Sequence, residues 1–414
     1  MNRREFLAAG ITTTTLATRA SAGLTFSAAQ RPQPAFGFDS PPVLQNPTAD
    51  GVTVAWAVNG PATGWVEYGP TRELGRRADM ATSGLLPYES RFLSVRVTGL
   101  TPGQPVFYRP VAMPIDFAGP YRIRRGEPVA GDVRRYTPPA PDADEASFAV
   151  LNDTHEKTPV LAALTAALAK SPADFTIWNG DVFDDVNGDE QIVANVLRPA
   201  GAAYAAERPV LFVPGNHDHR GVLARGLARA FTPWPNEPDC PRCFAVRHGP
   251  LAIVALDTGE DKPDRHPAWA GLAAFEPYRA RQRDWLERTL KQPEVASAPF
   301  LVVFCHIPLF GHPGENGGDT MKGFGSWQKH ASDLWHPVLA RSGAQLVVCG
   351  HTHRHRFDPP ADGRPYAQLV GGGPSLQEAT LLRGRATAGE LTVTAERLDG
   401  RELGRWTFAP RPLR

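Results

Sequence analysis

The sequence predicts a protein of the α/β class, with a layered α/β domain preceded by a small all-β sandwich. Between about residues 43 and 140, short runs that alternate apolar and polar residues are cut by glycine and proline, and no stretch of helical period intervenes. This pattern is typical of antiparallel strands in a sandwich. From about residue 146, continuous apolar runs of strand length are separated by helix-like segments, which predicts strands covered on both faces.

The N-terminus has the build of an export signal, residues 1–22, followed by a proline-rich linker, residues 23–42. Arg3 and Arg4 precede a short apolar run that ends in a small-residue site, and the run is too short to span a membrane. The stretch "RREFL" resembles the twin-arginine type of signal, which carries folded proteins across the inner membrane. We therefore expect a periplasmic or secreted protein without a transmembrane segment in the mature chain.

Composition limits the classes of partner. The 414 residues are 42% hydrophobic and carry a formal net charge of +1. A chain of this length buries a sizeable core, and its charge creates no overall field for nucleic acid or for an anionic membrane. Recognition of an anion must therefore be local.

The four cysteines fall into two pairs. Cys240 and Cys243 form a single C-x-x-C without the second pair that a structural zinc site needs. A local disulfide and two free thiols both remain open for them. Cys305 and Cys349 end β-branched runs, which predicts burial as small apolar residues.

The all-β part, residues 43–140, contains "GVTVAWAV", "GWVEYG", "FLSVRVTGL" and "PVFYRPVA" as its predicted strands. The segment "LTPGQPVFYR" resembles the strand–turn–strand corner of fibronectin type III domains and of the domain that precedes the catalytic part of purple acid phosphatases. Val106 stands where the corner tyrosine of that family is expected, and Tyr108 follows on the same strand face. A substrate-gating module and a structural appendage are both open as roles for this part.

The second part, residues 141–414, places polar residues where its predicted strands end. In open α/β sheets, ligand-binding groups collect at the carboxyl ends of strands. Imidazole and carboxylate groups without a required thiolate suit Zn, Mn or Fe, and there are more of them here than one tetrahedral ion uses. Two metal ions are therefore expected. The residues in question are Asp153, His155, Asp181, Asp184, Asn216, His217, Asp218, His306, His351 and His353.

The ordered stretches "DTH", "GDVFD", "GNHD", the "H" after "VVFC", and "GHTH" resemble the five motifs of calcineurin-like metallophosphoesterases. The resemblance spans residues 153–353 and implies a layered β-sandwich flanked by helices, with two divalent or trivalent ions. It also implies a hydroxide that bridges the ions and attacks phosphorus in line. By the same resemblance, Asp153, His155 and His353 hold one ion, Asn216, His306 and His351 hold the other, and Asp181 bridges the two.

The resemblance also implies two catalytic residues. His217 would face the substrate and donate to the departing oxygen, and Asp184 would orient His217. Asp218 is expected to support the ligands or to cap a helix, with capping preferred. Purple acid phosphatases carry a tyrosine ligand at the position of Asp184, so the site is expected to be colourless and need not favour ferric iron.

Two insertions, around residues 257–279 and 311–330, are expected to shape the pocket, the second as a glycine-rich lid. Neither has a basic run long enough for nucleic-acid binding. Candidate substrate contacts outside the motifs are His219, His312, Lys322, Trp327, His330 and His355.

The sequence thus predicts an exported, dinuclear metal-dependent hydrolase of small-molecule phosphoesters, either a phosphomonoesterase or a phosphodiesterase. A nucleotide pyrophosphatase on the same fold is one alternative. A catalytically inactive binding protein of the cell envelope is the other.

Overall fold

The computed structural model describes residues 35–235, 237–318 and 320–412. The predicted export signal and most of the predicted linker lie outside the described residues. Phe36–Arg414 form one compact unit. In the described chain, no helix is both long and apolar enough to cross a bilayer.

The strands of the described chain are given in sequence order. They are β1 (Val43–Thr48), β2 (Gly51–Ala57), β3 (Ala62–Gly69), β4 (Arg76–Ala78), β5 (Phe92–Thr98), β6 (Val106–Phe117), β7 (Ile123–Arg125), β8 (Val129–Ala130), β9 (Arg134–Tyr136), β10 (Ala146–Leu151), β11 (Phe175–Asn179), β12 (Val210–Val213), β13 (Phe244–His248), β14 (Leu251–Ala255), β15 (Phe300–Phe304), β16 (Leu346–Cys349), β17 (Arg356–Asp358), β18 (Ala367–Val370), β19 (Thr380–Ala386), β20 (Leu391–Arg397) and β21 (Glu402–Phe408).

The α-helices follow the same order. They are α1 (Thr158–Lys170), α2 (Asp189–Ile192), α3 (Phe275–Thr289), α4 (Pro293–Ala296) and α5 (Lys329–Ser342). A π-helical turn (Val193–Leu197) continues α2, and short 3₁₀ turns lie at Pro199–Gly201, His217–His219, Ala224–Arg229 and Pro267–Trp269.

Two sheets face each other in the second part of the chain. One has the strand order β21-β20-β19-β10-β11-β12-β1-β2-β5, and the other has the order β13-β14-β15-β16-β18-β17. Strands β10, β11 and β12 are parallel in the first sheet, and β14, β15 and β16 are parallel in the second. Their residues are almost all buried, as expected for parallel strands covered on both faces.

The core consists of three layers of side chains around these sheets. Phe148 and Ile177 of the first sheet share the central layer with Val302 and Val348 of the second. Helix α1 covers the outer face of the first sheet through residues such as Leu164. Helices α3 and α5 cover the outer face of the second. The predicted layered fold, with sheets between helices, is confirmed.

The predicted β-sandwich is also present. Strands β3, β4, β6 and β7 form its second sheet, with β8 and β9 paired to β6, and a separate hydrophobic cluster around Trp56 joins them to β1, β2 and β5. However, β1 pairs in parallel with β12, so the sandwich continues the large sheet of the second part. The resemblance to fibronectin type III domains and the boundary at residue 140 stay predictions.

The strands at the end of the chain divide between the two sheets. Strand β18 joins the second sheet in parallel with β16, while β19–β21 extend the first sheet. Helix α5 begins at Lys329, inside the stretch predicted as a glycine-rich lid. Cys305 and Cys349 are fully buried, as predicted, and all four cysteines are free thiols.

Candidate active site

The predicted polar residues meet where five parallel strands of the two sheets end. Asp153 and His155 follow β10, Asp181 follows β11, and Asn216 follows β12. His306 follows β15, and His351 and His353 follow β16. Because the two sheets face each other with these ends on the same side, residues up to 200 positions apart in the sequence come into contact.

The titratable members of this cluster form three groups of potential ligands, and two of these groups share one carboxylate. Asp153, His155, Asp181 and His353 bring their ligand atoms together in one of the two, and Asp181, His306 and His351 form the other. The third group consists of His155, Asp184 and His217. Asn216 adjoins the second group, with its Oδ1 2.8 Å from Nδ1 of His351. The structure therefore brings together all seven residues expected as metal ligands.

In three histidines, an acceptor outside the cluster fixes one ring nitrogen. Nδ1 of His155 lies 2.8 Å from the Asp184 carboxylate. Nδ1 of His306 lies 2.8 Å from the carbonyl of Asn179, and Nε2 of His351 lies 2.7 Å from the carbonyl of Gly325. Since these oxygens accept, the nitrogens beside them carry the protons, and the other nitrogen of each ring faces inward.

The inward nitrogens face other electron-pair donors. Nε2 of His155 lies 3.1 Å from Nε2 of His353, and Nε2 of His306 lies 3.2 Å from the Asp181 carboxylate. Nδ1 of His351 faces the amide oxygen of Asn216. A shared proton or a metal cation between the two members of each pair makes such an approach favourable. The donor set therefore fits metal cations, and imidazole with carboxylate is the chemistry that Zn, Mn and Fe accept.

The electrostatics of the cluster lead to the same requirement. Burial lowers the pKa of His306, but Asp181 and Asp153 outweigh burial and raise it to about 10. Burial raises the pKa of Asp181, but His306 outweighs it and holds this pKa well below its usual range. Burial, together with positive charge on His306, lowers the pKa of His351 to about 4. The buried carboxylates thus require positive charge beside Nε2 of His306, from a proton or from a metal ion.

His217 lies at the edge of the cluster, with Asp184 beside it. We expected the Asp184 carboxylate to bond to the His217 ring, but it bonds to His155 and to Lys157 instead. Nδ1 of His217 donates to the backbone carbonyl of Asp184 at 2.6 Å. Asp184 thus orients His217 through its main chain, and Nε2 of His217 faces the cleft.

Asp218 does not cap a helix, so the preferred expectation for it was wrong. Its buried carboxylate accepts from the backbone N–H groups of Asp181, Val182 and Gly215, at 3.0, 3.1 and 2.8 Å. Asp218 ties the loop after β11 to the turn after β12. Burial and the neighbouring Asp181 raise the pKa of Asp218 to about 6.

The backbone at the cluster is strained. Asp153, His155, Asp181, His351 and His353 all have positive φ, between 43° and 73°, in the region that residues with a side chain rarely adopt. Gly215 and Gly350 permit close packing between these turns, since a Cβ on either would overlap the carboxylate of Asp181 or Asp153. The short turns after the strands thus bring the ligand side chains close together at a cost in strain.

A cavity of about 280 Å³ opens onto the cluster. Besides Asp181, Asn216, His217, His351 and His353, it is lined by Arg220, Asp261, Lys262, Gly323 and Phe324. The ring of Phe324 stacks on that of His351, with centroids 4.8 Å apart. The two predicted insertions therefore do contribute to the pocket.

The six candidate substrate contacts outside the motifs, all within the described residues, do not line this cavity. Nε2 of His219, for example, bonds to the buried Asp257 at 3.0 Å, and Nδ1 of His355 lies 3.1 Å from the carbonyl of Val370. The residues that do line it, Arg220, Lys262 and Phe324, were missed. Arg220 directly follows "GNHDH", and this position was the one signal in the sequence that could have identified it.

A two-sheet α/β fold with strand-end histidines and carboxylates around a shared aspartate defines a metal-dependent phosphoester hydrolase. The chain belongs to the calcineurin-like phosphoesterase family, whose sequence model matches residues 146–355. Over 264 residues it is 26% identical to purple acid phosphatase 3 of Arabidopsis thaliana, a match that covers 58% of this chain and 67% of that protein.

Solved structures share the fold well beyond the motifs. Purple acid phosphatase PPD1 from yellow lupin (Lupinus luteus) seeds superimposes with a TM-score of 0.64 at 14% identity, over 89% of this chain and 74% of that one. The structure of PhoD superimposes with a TM-score of 0.60 at 13% identity, over 90% of each chain. Both alignments extend over most of the chain, beyond the part that the family model matches.

Proposed function

We propose that this protein is a dinuclear phosphoesterase that hydrolyses small-molecule phosphomonoesters or phosphodiesters outside the cytoplasm. The observation that carries the proposal is the inward-facing pairs of electron-pair donors, His155 with His353, His306 with Asp181, and His351 with Asn216. Their arrangement in two groups that share Asp181 supports two ions rather than one.

In this proposal, Asp153, His155 and His353 would hold one ion, Asn216, His306 and His351 the other, and Asp181 both. Two such ions supply an activated water and neutralise charge on the phosphoryl group. The carbonyls of Asn179 and Gly325 hold His306 and His351 in the tautomers that ligation requires.

His217 is the proposed donor to the departing oxygen. The carbonyl of Asp184 holds its Nδ1, and its backbone N–H donates to Asp181 at 2.9 Å, so the ring is fixed beside the bridging carboxylate. Its Nε2 accepts from Arg220 at the cavity, so this nitrogen must first take up a proton, which it can then pass to the leaving group.

The test is hydrolysis of p-nitrophenyl phosphate and bis-p-nitrophenyl phosphate by metal-stripped protein reconstituted with Mn, Fe or Zn. We expect turnover that requires metal, is lost in Asp181→Asn, and persists in the control Asp399→Asn, which changes an exposed carboxylate in a turn. The ratio of the two rates distinguishes a monoesterase from a diesterase. A folded, metal-loaded protein that hydrolyses neither substrate with any metal would contradict the proposal and favour the binding-protein alternative.

Export by a twin-arginine-type signal is part of the proposal and rests on the sequence of residues 1–22. We expect the protein in the periplasmic or secreted fraction, and replacement of Arg3 and Arg4 by lysine is expected to retain it in the cytoplasm. Unchanged fractionation of the double variant would contradict this route.

A further inference from the structure

The wall of the cavity beside the cluster carries an arginine that no motif assigns. Arg220 follows the 3₁₀ turn that begins with His217, and its side chain is 22% exposed, facing the cavity. The insertion after β14 supplies the residues around it, Glu260, Asp261 and Lys262.

Glu260 fixes one edge of the Arg220 guanidinium. Its two carboxylate oxygens accept from Nε at 2.9 Å and from Nη2 at 2.8 Å, which is the two-pronged geometry that only arginine offers. The Glu260 side chain is 2% exposed. Its backbone carbonyl accepts from the side chains of Arg279, at 2.6 Å, and Gln328, at 2.7 Å. Glu260, which holds the guanidinium, is therefore itself fixed in the protein interior.

The opposite edge of the guanidinium points at the reaction centre. Nη1 of Arg220 lies 2.9 Å from Nε2 of His217, the ring nitrogen that faces the cavity. Nη1 carries two N–H groups, so it retains a donor beyond the contact with His217. A phosphoryl group that enters beside His217 meets this donor.

We propose that Arg220, positioned by Glu260, binds a terminal oxygen of the substrate phosphoryl group and makes the site favour phosphomonoesters over phosphodiesters. The inference rests on the proposed function, because it names the substrate class of the same site.

The preference follows from the number of terminal oxygens and not from net charge. Glu260 and Asp261 already balance Arg220 and Lys262, since Asp261 bonds to Lys262 at 2.9 Å and to Arg220 at 3.3 Å. A phosphomonoester has three terminal oxygens, whereas a diester has two and carries an ester group in place of the third. Only the monoester presents a further charged oxygen to the directed N–H of Arg220.

The test compares Arg220→Ala, Arg220→Lys and Glu260→Gln with Arg225→Ala, a control on an exposed arginine of the next turn. One measurement is calorimetric titration of the metal-loaded proteins with inorganic phosphate, which requires no turnover. The second is kcat/KM for p-nitrophenyl phosphate and for bis-p-nitrophenyl phosphate, with metal content measured on each sample.

We expect Arg220→Ala to lower kcat/KM for the monoester about 10²-fold, as removal of one oxyanion donor does, and to weaken phosphate binding. The kcat/KM for the diester should fall much less, so the ratio of kcat/KM for the monoester to kcat/KM for the diester falls. Arg220→Lys keeps the positive charge but cannot bond to Glu260 and to the substrate along two edges, so its kcat/KM and its phosphate affinity should be intermediate. Glu260→Gln should lower the same ratio about tenfold, the loss typical of a supporting partner.

Unchanged phosphate affinity in Arg220→Ala, or an equal loss for both substrates with metal retained, would overturn the inference. If the wild-type protein hydrolyses neither substrate but binds phosphate through Arg220, the proposed hydrolysis fails while the anion contact is upheld. Should Arg220→Ala fail to load metal, Arg220→Lys decides by the same two measurements.

Discussion

At the scale of single residues, the site depends on conformations that its own side chains disfavour. Five of the seven expected ligands have positive φ. A residue in this region costs of order 1 kcal/mol or more, so other contacts must hold it there. Hydrogen bonds from backbone N–H groups to carboxylates provide these contacts. The N–H of His351, for example, donates to both oxygens of Asp153, at 3.0 and 2.9 Å. The carboxylates thus hold the turns as well as serving as ligands.

The neighbours His217 and Asp218 are predicted to fail in different ways when changed. His217→Ala removes a donor from the cavity and leaves the turn intact, so we expect kcat to fall by about 10²–10⁴ with full metal content. Asp218→Asn removes one of the two oxygens that hold the loops after β11 and β12. We expect it to weaken metal binding by about 10–100-fold. Metal content and kcat, measured on both variants, check the prediction.

The contrast between the two variants is the critical result. Loss of metal in His217→Ala with retention in Asp218→Asn would show that the roles are reversed. Saturating metal provides the control, because it should restore much of the activity of Asp218→Asn and none of that of His217→Ala.

At the scale of elements, the sequence predicted strands better than loops, for a physical reason. Buried parallel strands are continuous apolar runs, and ligands directly after them are placed by the strand itself, as with Asp153 and His306. The walls of the cavity come from long insertions, whose course depends on contacts distant in sequence. Phe324 reaches His351 only because its loop folds back over the site, and no local pattern encodes that contact.

The loop before α5 is predicted to support the metal centre through Phe324 and Gly325. The ring of Phe324 covers one face of His351, and the next carbonyl holds Nε2 of that histidine. A ring contact of this kind contributes about 1 kcal/mol, roughly a fivefold effect on binding. We therefore expect Phe324→Ala to weaken metal binding about fivefold in a competition titration with a chelator.

Met321→Ala is the matched control for this loop, since Met321 is also exposed but does not line the cavity. If both changes weaken metal binding equally, the loop supports the metal centre through its overall packing and not through the ring of Phe324. A change in Phe324→Ala alone would assign the effect to the ring.

At the scale of the whole molecule, the N-terminal strands are part of the structure that carries the site. Gln45 of β1 donates to the carbonyl of Ala230 at 2.6 Å, and the hydroxyl of Tyr108 donates to the carbonyl of Ala206 at 2.5 Å. These bonds cross the predicted boundary at residue 140. The sequence indicated two patterns of strand but not the junction between them, which is the pairing of β1 with β12. This pairing joins residues 165 positions apart, and no local pattern encodes it.

The junction predicts that residues 36–414 unfold as one cooperative unit. Phe92 of β5 belongs to the same hydrophobic cluster as residues of α1 and β12, and the guanidinium of Arg229 lies 5.2 Å from its ring centroid. Phe92→Ala leaves a cavity in this cluster, for which we expect a loss of about 3–5 kcal/mol in the free energy of unfolding. Because the cluster is shared, calorimetry should show a single transition at a lower temperature, with activity lost over the same range.

Tyr121→Ala serves as the control, since Tyr121 is 99% exposed and its loss should leave the transition in place. Two separate transitions in Phe92→Ala, with activity surviving the first, would show that the sandwich unfolds independently. The sandwich would then be an appendage and not a support. A single transition would mean that the folding of the N-terminal strands and the geometry of the metal ligands are coupled. The reason is that the sheet whose strands β10, β11 and β12 lead into Asp153, Asp181 and Asn216 continues through β1.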